Sequence, residues 1–168
     1  KGLDVLMDSM DSFEGDPGFD LAIAGKGELS DWLEDRLSSS RAKEHISILG
    51  LVSDSEKRWI YENSDCIVIP SRFEGLPTVM LEAMHSGTPV IMADVNGLGA
   101  MVEGHGCGLS VPPEDPHSLA RAMTEAANSD PETSSSWGSS GKEASTEYQW
   151  DRVTDRVLEV YRRVIGNV

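Results

Sequence analysis

Short apolar runs alternate along this chain with longer segments in which apolar residues recur every three or four positions. A short apolar run between turn residues is typical of a buried strand, and the longer spacing is typical of an amphipathic helix. The runs predict strands at residues 20–24, 45–49, 66–69, 89–92 and 109–111. The spaced segments predict helices at residues 3–13, 28–38, 54–62, 78–86 and 117–127.

The alternation of strand and helix predicts the α/β class, with helices on both faces of a parallel sheet of about five or six strands. Right-handed crossovers join consecutive strands in such a sheet. Ligands bind beyond the carboxyl ends of the strands. We therefore expect the functional loops at residues 25–28, 51–54, 71–78 and 93–97.

The carboxyl-terminal part of the chain combines a Ser-rich segment with an amphipathic one. Residues 133–147 are rich in Ser, a composition that by itself indicates a flexible linker. Side chains nevertheless recur there at helical spacing, at Trp137, Gly141, Ala144 and Tyr148. We therefore predict a surface helix in this segment and a second helix at residues 150–165, with the Trp and Tyr side chains as packing anchors.

The charge balance excludes several classes of partner. The 168 residues include 29 acids and 14 bases, which gives a net charge of −15. Nucleic acids and anionic membrane surfaces are bound by clustered Lys and Arg, so we expect neither as a partner. No apolar run approaches the length of a membrane span, so we expect no transmembrane segment. An acidic surface with five Lys residues indicates either a halophilic source or ordinary acidity that favours solubility.

The Cys and His residues form no recognisable disulfide or metal pattern. Cys66 lies inside an apolar run, and we interpret it as a small buried thiol. Cys107 lies in a Gly-rich turn, and the sequence alone does not pair the two thiols. The four His residues lack the spacing of metal ligands, so we expect them on the surface or in the core.

The segment from Pro70 to Ile91 is best suited to bind a ligand. It reads PSRFEGLPTVMLEAMHSGTPVI, with Glu74 in the loop after a predicted strand and Glu82 on the helix that Pro77 opens. A helix start offers free N–H groups and a positive dipole end, where phosphate binds readily. Two carboxylates eight positions apart can accept hydrogen bonds from different hydroxyl groups of one bound molecule.

The same residues have ordinary structural explanations when each is taken alone. Glu82 is equally well explained as an acid favoured by the helix dipole, and Glu74 as a solvated loop acid. We interpret Arg72 as a surface residue rather than a phosphate contact. The G-x-G at residues 25–27 is weak by itself, because many turns between strand and helix use Gly.

The Pro70–Ile91 stretch closely resembles the donor-binding core of the retaining GT-B glycosyltransferases of the group 1 family. The mark of that family is E-x7-E, the spacing of Glu74 and Glu82. Three further segments resemble the family in the expected order: LAIAGKGE, HISILGLVSDSE and GLSVPPEDPHSLARAM. The resemblance implies a Rossmann-like three-layer α/β/α architecture, one half of a GT-B fold. It also implies that residues 1–168 form a single nucleotide-sugar-binding domain, with carboxyl-terminal helices at about 131–165.

The resemblance assigns roles to the charged residues. It implies that Glu74 holds hydroxyl groups of the donor sugar and that Glu82 holds the nucleotide ribose. Lys1 resembles the Lys of the family motif K-G-x-x-x-L, which faces the diphosphate. In the family that motif follows a strand carrying an Arg, and both lie outside this chain. Glu74 and Lys1 are therefore the predicted catalytic residues.

The resemblance also assigns backbone and pocket contacts. It implies that the backbone from Gly75 to Thr78, through Leu76 and Pro77, meets the sugar and the diphosphate. Val52 and its neighbours would line the base pocket, and Gly25 and Gly27 would let the chain pass close to the nucleotide. The resemblance also implies that no metal ion or other cofactor is needed, because it is to enzymes that work without a bound metal.

The implied reaction moves a sugar from a UDP-, GDP- or ADP-sugar to a hydroxyl acceptor with retention, in glycan or glycolipid synthesis. The acceptor site would belong to an amino-terminal domain outside this chain, so we expect the chain alone to bind nucleotide weakly and to catalyse nothing. The expected location is the cytoplasm, or the inner membrane surface reached through the absent domain.

One departure and two alternatives remain. The family often reads G-G-x-P-E after the fourth strand, whereas Gly99 and Ala100 stand at the Pro and Glu positions here. A GT-B nucleotide-sugar epimerase shares the architecture, but it is expected to lack an intact E-x7-E core. A receiver-like signalling domain needs an acidic cluster at the strand ends and a Lys after the last strand. The strand ends of this chain carry Gly25, Pro70-Ser71 and Ala93-Asp94, which argues against it.

Overall fold

The computed structural model describes residues 1–166, which contain five strands and eight α-helices. The strands are β1 (Leu21–Ala24), β2 (Ile46–Gly50), β3 (Ile67–Ile69), β4 (Val90–Ala93) and β5 (Gly108–Val111). The helices are α1 (Leu3–Asp11), α2 (Ser30–Ser38), α3 (Asp54–Asn63), α4 (Thr78–Ser86), α5 (Leu98–Gly104), α6 (Pro116–Ala127), α7 (Pro131–Ser145) and α8 (Trp150–Ile165). Two 3₁₀ turns lie at Lys43–His45 and Thr146–Tyr148.

Each strand and helix expected from the sequence is present in the structure. The Ser-rich segment is the helix α7, as predicted, and not a linker. The structure adds α5, in a Gly-rich stretch where the sequence predicted no element. This helix forms because Leu98 and Val102 are buried and because Asp94 Oδ1 accepts the N–H of Ala100 at 3.2 Å. Asp94, which follows β4, therefore caps the start of α5.

All strand pairs in the described chain are parallel, which confirms the predicted fold class. The strands form two ladders, β1–β2 and β3–β4–β5. β4 lies at the centre of the second ladder, and all four of its residues are buried, as expected for a strand covered on both faces. β1 and β3 each keep an edge that pairs with no strand of residues 1–166. Both strands line one cavity between the ladders.

Two apolar cores lie on opposite faces of the sheet. Alternate residues of β4 point to opposite faces, so Ile91 packs with α1 and α6 while Met92 packs with α4 and α5. This arrangement gives the three-layer α/β/α architecture. The Met residues at helical spacing belong to these cores and have no exposed surface: Met7, Met10, Met80 and Met84.

Helix α7 packs closely against α4 through small residues. A Cβ atom added at Gly138 would lie 2.3 Å from the carbonyl oxygen of Gly87, which follows the last residue of α4. Gly141 and Ala144 are buried on the same face. The composition that resembled a linker therefore supplies a close helix–helix contact.

Helix α8 differs from expectation in its packing. It forms at the predicted position, but it contains no buried residue. Trp150 is 84% exposed and Tyr161 is 60% exposed, so the prediction that they are packing anchors was wrong. The helical spacing of apolar residues indicated an apolar face, and spacing carries no information on what covers that face. Within residues 1–166, no helix is both long enough and apolar enough to cross a membrane.

Candidate functional site

A cavity of about 660 Å³ lies between β1 and β3 and extends past their carboxyl ends. Its lining runs along both strands, and only the part beyond their carboxyl ends, at Gly25, Val52 and Glu74, is where ligands are expected in a parallel α/β fold. Five of the residues predicted to bind ligand line it: Lys1, Gly25, Val52, Glu74 and Pro77. The other predicted residues are not part of its lining: Gly27, Gly75, Leu76, Thr78 and Glu82.

Glu74 is held in a fixed position at this cavity. Its residue surface is only 8% exposed, and its Oε1 accepts hydrogen bonds from Lys1 Nζ and from Ser71 Oγ, the latter at 2.7 Å. Asn96 Nδ2 donates to the Glu74 carbonyl oxygen at 2.7 Å, which also fixes the backbone of the loop. Neither Ser71 nor Asn96 stands out in the sequence as a residue of the site.

The surroundings of Glu74 keep its side chain ionised. Burial raises the pKa of Glu74, but the hydrogen bonds from Lys1 and Ser71 lower it more, so the pKa lies below its ordinary value. Among the described residues, no donor reaches Oε2 of this carboxylate. Glu74 therefore presents one charged oxygen whose acceptor capacity is free for a ligand hydroxyl.

The start of α4 lies beside Glu74. Pro77 is the residue before the first turn of α4, and no side chain caps this end of the helix. The carbonyl of Pro77 accepts hydrogen bonds from the N–H groups of Met80 and Leu81. The N–H groups of Thr78 and Val79 are therefore first-turn donors without an intrahelical acceptor. Pro77 and Val79 line the cavity. This end of α4 offers N–H donors and a positive dipole to an anion.

Glu82 faces α3 and contacts two residues that line the cavity. Lys57 Nζ donates to Glu82 Oε1 at 3.2 Å, and the Tyr61 hydroxyl donates to Oε2 at 2.8 Å. A capping box between Ser53 and Glu56 fixes the start of α3 and so the position of Lys57. Lys57 and Tyr61 lie on a helix that the sequence predicts, but helical spacing carries no signal of a contact with Glu82.

The family model described as "Glycosyl transferases group 1" matches residues 1–144. The chain belongs to this family.

Individual glycosyltransferases resemble the chain over most of its length. An uncharacterized glycosyltransferase, MJ1607 of Methanocaldococcus jannaschii, is 30% identical over 169 aligned residues, which cover 96% of this chain and 42% of that protein. The chain thus spans less than half the length of this curated relative.

Two solved structures show the same fold. Sucrose-phosphate synthase from Thermosynechococcus elongatus has a TM-score of 0.83 and 24% identity, over all of this chain and 43% of its own. Anabaena HepE, solved in complex with UDP and glucose, has a TM-score of 0.78 and 20% identity, over 97% of this chain and 45% of its own. The Rossmann-like half of a GT-B fold, expected from the sequence, is confirmed.

Arg72 of this glycosyltransferase chain makes ion pairs on the surface. Its guanidinium donates two hydrogen bonds to Asp4, at 2.6 and 2.7 Å, and a further one to Glu114. The hydrogen bonds from Arg72 lower the pKa of Asp4 to about 2. With its donors engaged by two carboxylates, Arg72 links α1 to the loop after β3, and the interpretation as a surface residue fits this geometry.

The departure from the family pattern at Gly99 has a steric reason. A Cβ atom added at Gly99 would lie 2.2 Å from Ser110 Oγ and 2.7 Å from Asp94 Cβ. A side chain does not fit there without displacing β5 or the loop after β4. Ala100 is exposed, and its N–H donates to Asp94.

Metal ligands do not converge in the described part of the chain. Among residues 1–166, no three side chains of His, Cys, Asp or Glu lie close enough together to hold a metal ion. Both Cys residues are free thiols. Cys66 is only partly buried and lines the cavity, whereas Cys107 is buried, so the interpretation of Cys66 as a buried thiol was wrong. Its partial burial still raises the pKa of Cys66 to about 12, so this thiol stays protonated.

Proposed function

We propose that this chain forms the donor-binding part of a retaining glycosyltransferase, which moves a sugar from a nucleotide-sugar to a hydroxyl acceptor. One observation carries the proposal: a fixed, ionised Glu74 lies at the cavity beside the open start of α4. A carboxylate next to a helix start suits a ligand that joins sugar hydroxyls to a diphosphate. The solved HepE structure of the same fold contains UDP and glucose.

Each predicted residue has a role in this proposal. Glu74 accepts a hydroxyl of the donor sugar through Oε2, and Glu82 binds the ribose. Lys1 and the first-turn N–H groups of α4 stabilise the charge that develops on the leaving diphosphate. The backbone from Gly75 to Thr78 contacts the sugar and phosphate, and the remaining predicted contacts are Gly25, Gly27 and Val52.

The chemistry needs no protein general base within this chain. In the proposed reaction the leaving phosphate assists the acceptor hydroxyl, and the anomeric configuration is retained. The charge of the diphosphate is met by side chains and the helix start, without a metal ion. The acceptor, a glycan or a glycolipid, binds to a part of the protein outside residues 1–168, in the cytoplasm or at the inner membrane surface.

The family match overturns the receiver-like alternative, because the chain belongs to a glycosyltransferase family along most of its length. The intact spacing of Glu74 and Glu82 is what favours a transferase over an epimerase of the same architecture.

Calorimetric titration with UDP, GDP and their sugars tests the proposal. We expect weak binding of at least one nucleotide and no sugar transfer by the chain alone. Replacing Glu82 by Ala removes hydrogen bonds to a charged group, each worth about 1.5–3 kcal/mol, so binding should weaken at least tenfold. Glu62→Ala, at an exposed acid of the neighbouring helix α3, should leave the affinity unchanged. If the wild-type chain binds none of these nucleotides, the proposal is wrong.

A further inference from the structure

The carboxylate of Glu82 is held across a contact between two helices. Glu82 lies on α4, whereas its two donors, Lys57 and Tyr61, lie on α3. Each donor reaches a different oxygen: Lys57 Nζ contacts Oε1 at 3.2 Å and the Tyr61 hydroxyl contacts Oε2 at 2.8 Å. Two donors on separate oxygens fix both the position and the rotation of the carboxylate plane.

The remaining acceptor capacity of Glu82 is therefore divided evenly. A carboxylate has about four acceptor positions, two on each oxygen. Lys57 and Tyr61 each occupy one, so each oxygen of Glu82 keeps one acceptor position free among the described residues. The Glu82 side chain is also 37% exposed, so a ligand can reach it. Two adjacent single acceptors match two hydroxyl groups on neighbouring carbon atoms.

Glu74 is arranged differently, which makes the contrast informative. Both of its donors, Lys1 and Ser71, contact the same oxygen, Oε1. Glu74 thus offers its free acceptor capacity on one oxygen, whereas Glu82 offers one position on each oxygen. The two carboxylates are therefore held for different hydroxyl patterns.

We propose that Lys57 and Tyr61 are positioning residues, which hold Glu82 so that its two oxygens accept the two vicinal hydroxyl groups of the ribose of a nucleoside diphosphate. The inference rests on the proposed function, since it takes Glu82 as the ribose-binding residue. Lys57 and Tyr61 act through Glu82, and through it they set the preference for ribose over deoxyribose.

The hydroxyl of Tyr61 can be removed without removing its other contacts. The Tyr61 ring is part of the apolar core between α4 and β4. Its backbone carbonyl accepts a hydrogen bond from the Thr88 hydroxyl, independently of the phenol. Burial and the neighbouring Glu82 raise the pKa of Tyr61, so the phenol stays a donor. Tyr61→Phe therefore keeps the core and the backbone and deletes one donor to Glu82.

The test measures the affinity of the chain for UDP and dUDP, and for GDP and dGDP, by calorimetric or NMR titration. The readout is the ratio of the ribose to the 2′-deoxyribose affinity. For the base that binds, we expect the wild-type chain to favour ribose about tenfold or more, because one hydrogen bond to a charged group is lost with the 2′-hydroxyl. In Tyr61→Phe and in Lys57→Met the ratio should fall to about threefold or less.

Tyr148→Phe is the matched control. It removes a hydroxyl that contacts Met101 Sδ of α5 at 3.3 Å, from the 3₁₀ turn at Thr146–Tyr148. This variant should keep the wild-type ratio. A merely structural role for Tyr61 would lower both affinities together and leave the ratio unchanged.

The outcomes separate the inference from the proposed function. If the wild-type chain binds ribonucleotides and prefers ribose, but Tyr61→Phe and Lys57→Met keep its ratio, the positioning role is wrong and the proposed function stands. If the wild-type chain binds the ribonucleotide and the 2′-deoxyribonucleotide equally well, Glu82 does not distinguish ribose from deoxyribose. The inference is then overturned as well. If it binds no nucleotide, the proposed function fails and the inference fails with it.

Discussion

At Glu74, a buried charge depends on two donors that come from different parts of the chain. Its folded pKa lies below the ordinary value of 4.5, so the ionised form stabilises the fold above that pH. That stabilisation is lost as the pH falls through the folded pKa, because the protonated acid no longer attracts Lys1. Stability that depends on this carboxylate should therefore be fully present at neutral pH and weaken in acid.

Glu74→Gln tests this pH dependence. The amide cannot satisfy both Lys1 and Ser71 as an ionised acceptor does, so we expect a loss of about 1–3 kcal/mol in unfolding free energy at pH 7. The loss should shrink as the pH falls below 4.5, when the wild-type carboxylate becomes protonated as well. Urea unfolding of both proteins at several pH values measures it.

Glu62→Gln, at an exposed acid on α3, is the control for the Glu74 experiment. A surface substitution of this kind should change stability by less than about 0.5 kcal/mol at any pH. A loss in Glu74→Gln that is equally large at pH 7 and in acid would show that shape, and not ionisation, matters at this position.

The two carboxylates could be predicted from the sequence, but the residues that hold them could not. Glu74 and Glu82 stand at a fixed spacing within one continuous stretch, so a linear pattern reveals them. Lys57 and Tyr61 lie 25 and 21 positions before Glu82, on another helix. Their contact with Glu82 depends on how α3 packs against α4, and a linear pattern does not encode that packing.

At the scale of elements, the sheet is divided between β1 and β3. Backbone groups alternate in direction along a strand, so successive N–H groups of β3 point to opposite sides. The N–H of Ile67 donates to the carbonyl of Pro89, on the side of β4, at 2.8 Å. The N–H of Val68 therefore points away from β4, to the side of the cavity, where β3 pairs with no strand of residues 1–166.

Amide hydrogen exchange should detect this division residue by residue. We expect the Val68 amide to exchange at least tenfold faster than the Ile67 amide, although the two residues are neighbours in one strand. The same comparison applies at β1. The N–H of Gly25 donates to the Gly50 carbonyl at 2.7 Å, whereas the N–H of Ala24 points to the opposite side of the strand. Exchange measured by NMR gives both pairs, and equal protection of Ile67 and Val68 would contradict the open edge.

The elements themselves were largely readable because most have a strong local signal. β4 is apolar at every position, and α3 begins with a capping box. α5 was missed because it is short, rich in Gly and stabilised by the side chain of Asp94, which lies before the helix. The face that α7 buries consists of small residues such as Gly138. These residues let the backbone of Gly87 approach closely, and their own hydrophobicity gives little signal.

At the scale of the whole molecule, the charge of −15 has to coexist with the proposed binding of a diphosphate. The attraction is local: the start of α4, Lys1 and Lys57 lie at the cavity. Many of the acids lie on the outer surface, where like charges repel one another. This repulsion acts over about 10 Å at 0.1 M salt and about 3 Å at 1 M.

The melting temperature should therefore rise when KCl is increased from 0.1 M to 2 M, because screening removes repulsion that opposes the compact state. A variant with Glu28→Gln, Glu34→Gln and Asp35→Asn, which removes three exposed charges near and on α2 and changes the net charge from −15 to −12, should show a smaller rise. Its melting temperature should exceed that of the wild type most clearly at low salt.

Calorimetric melting of both proteins at each salt concentration distinguishes screening from a general effect of salt on apolar burial. The general effect would raise the melting temperatures of both proteins equally. Equal melting temperatures of the wild type at 0.1 M and 2 M would exclude adaptation to a salty cytoplasm and leave solubility as the reason for the acidic surface.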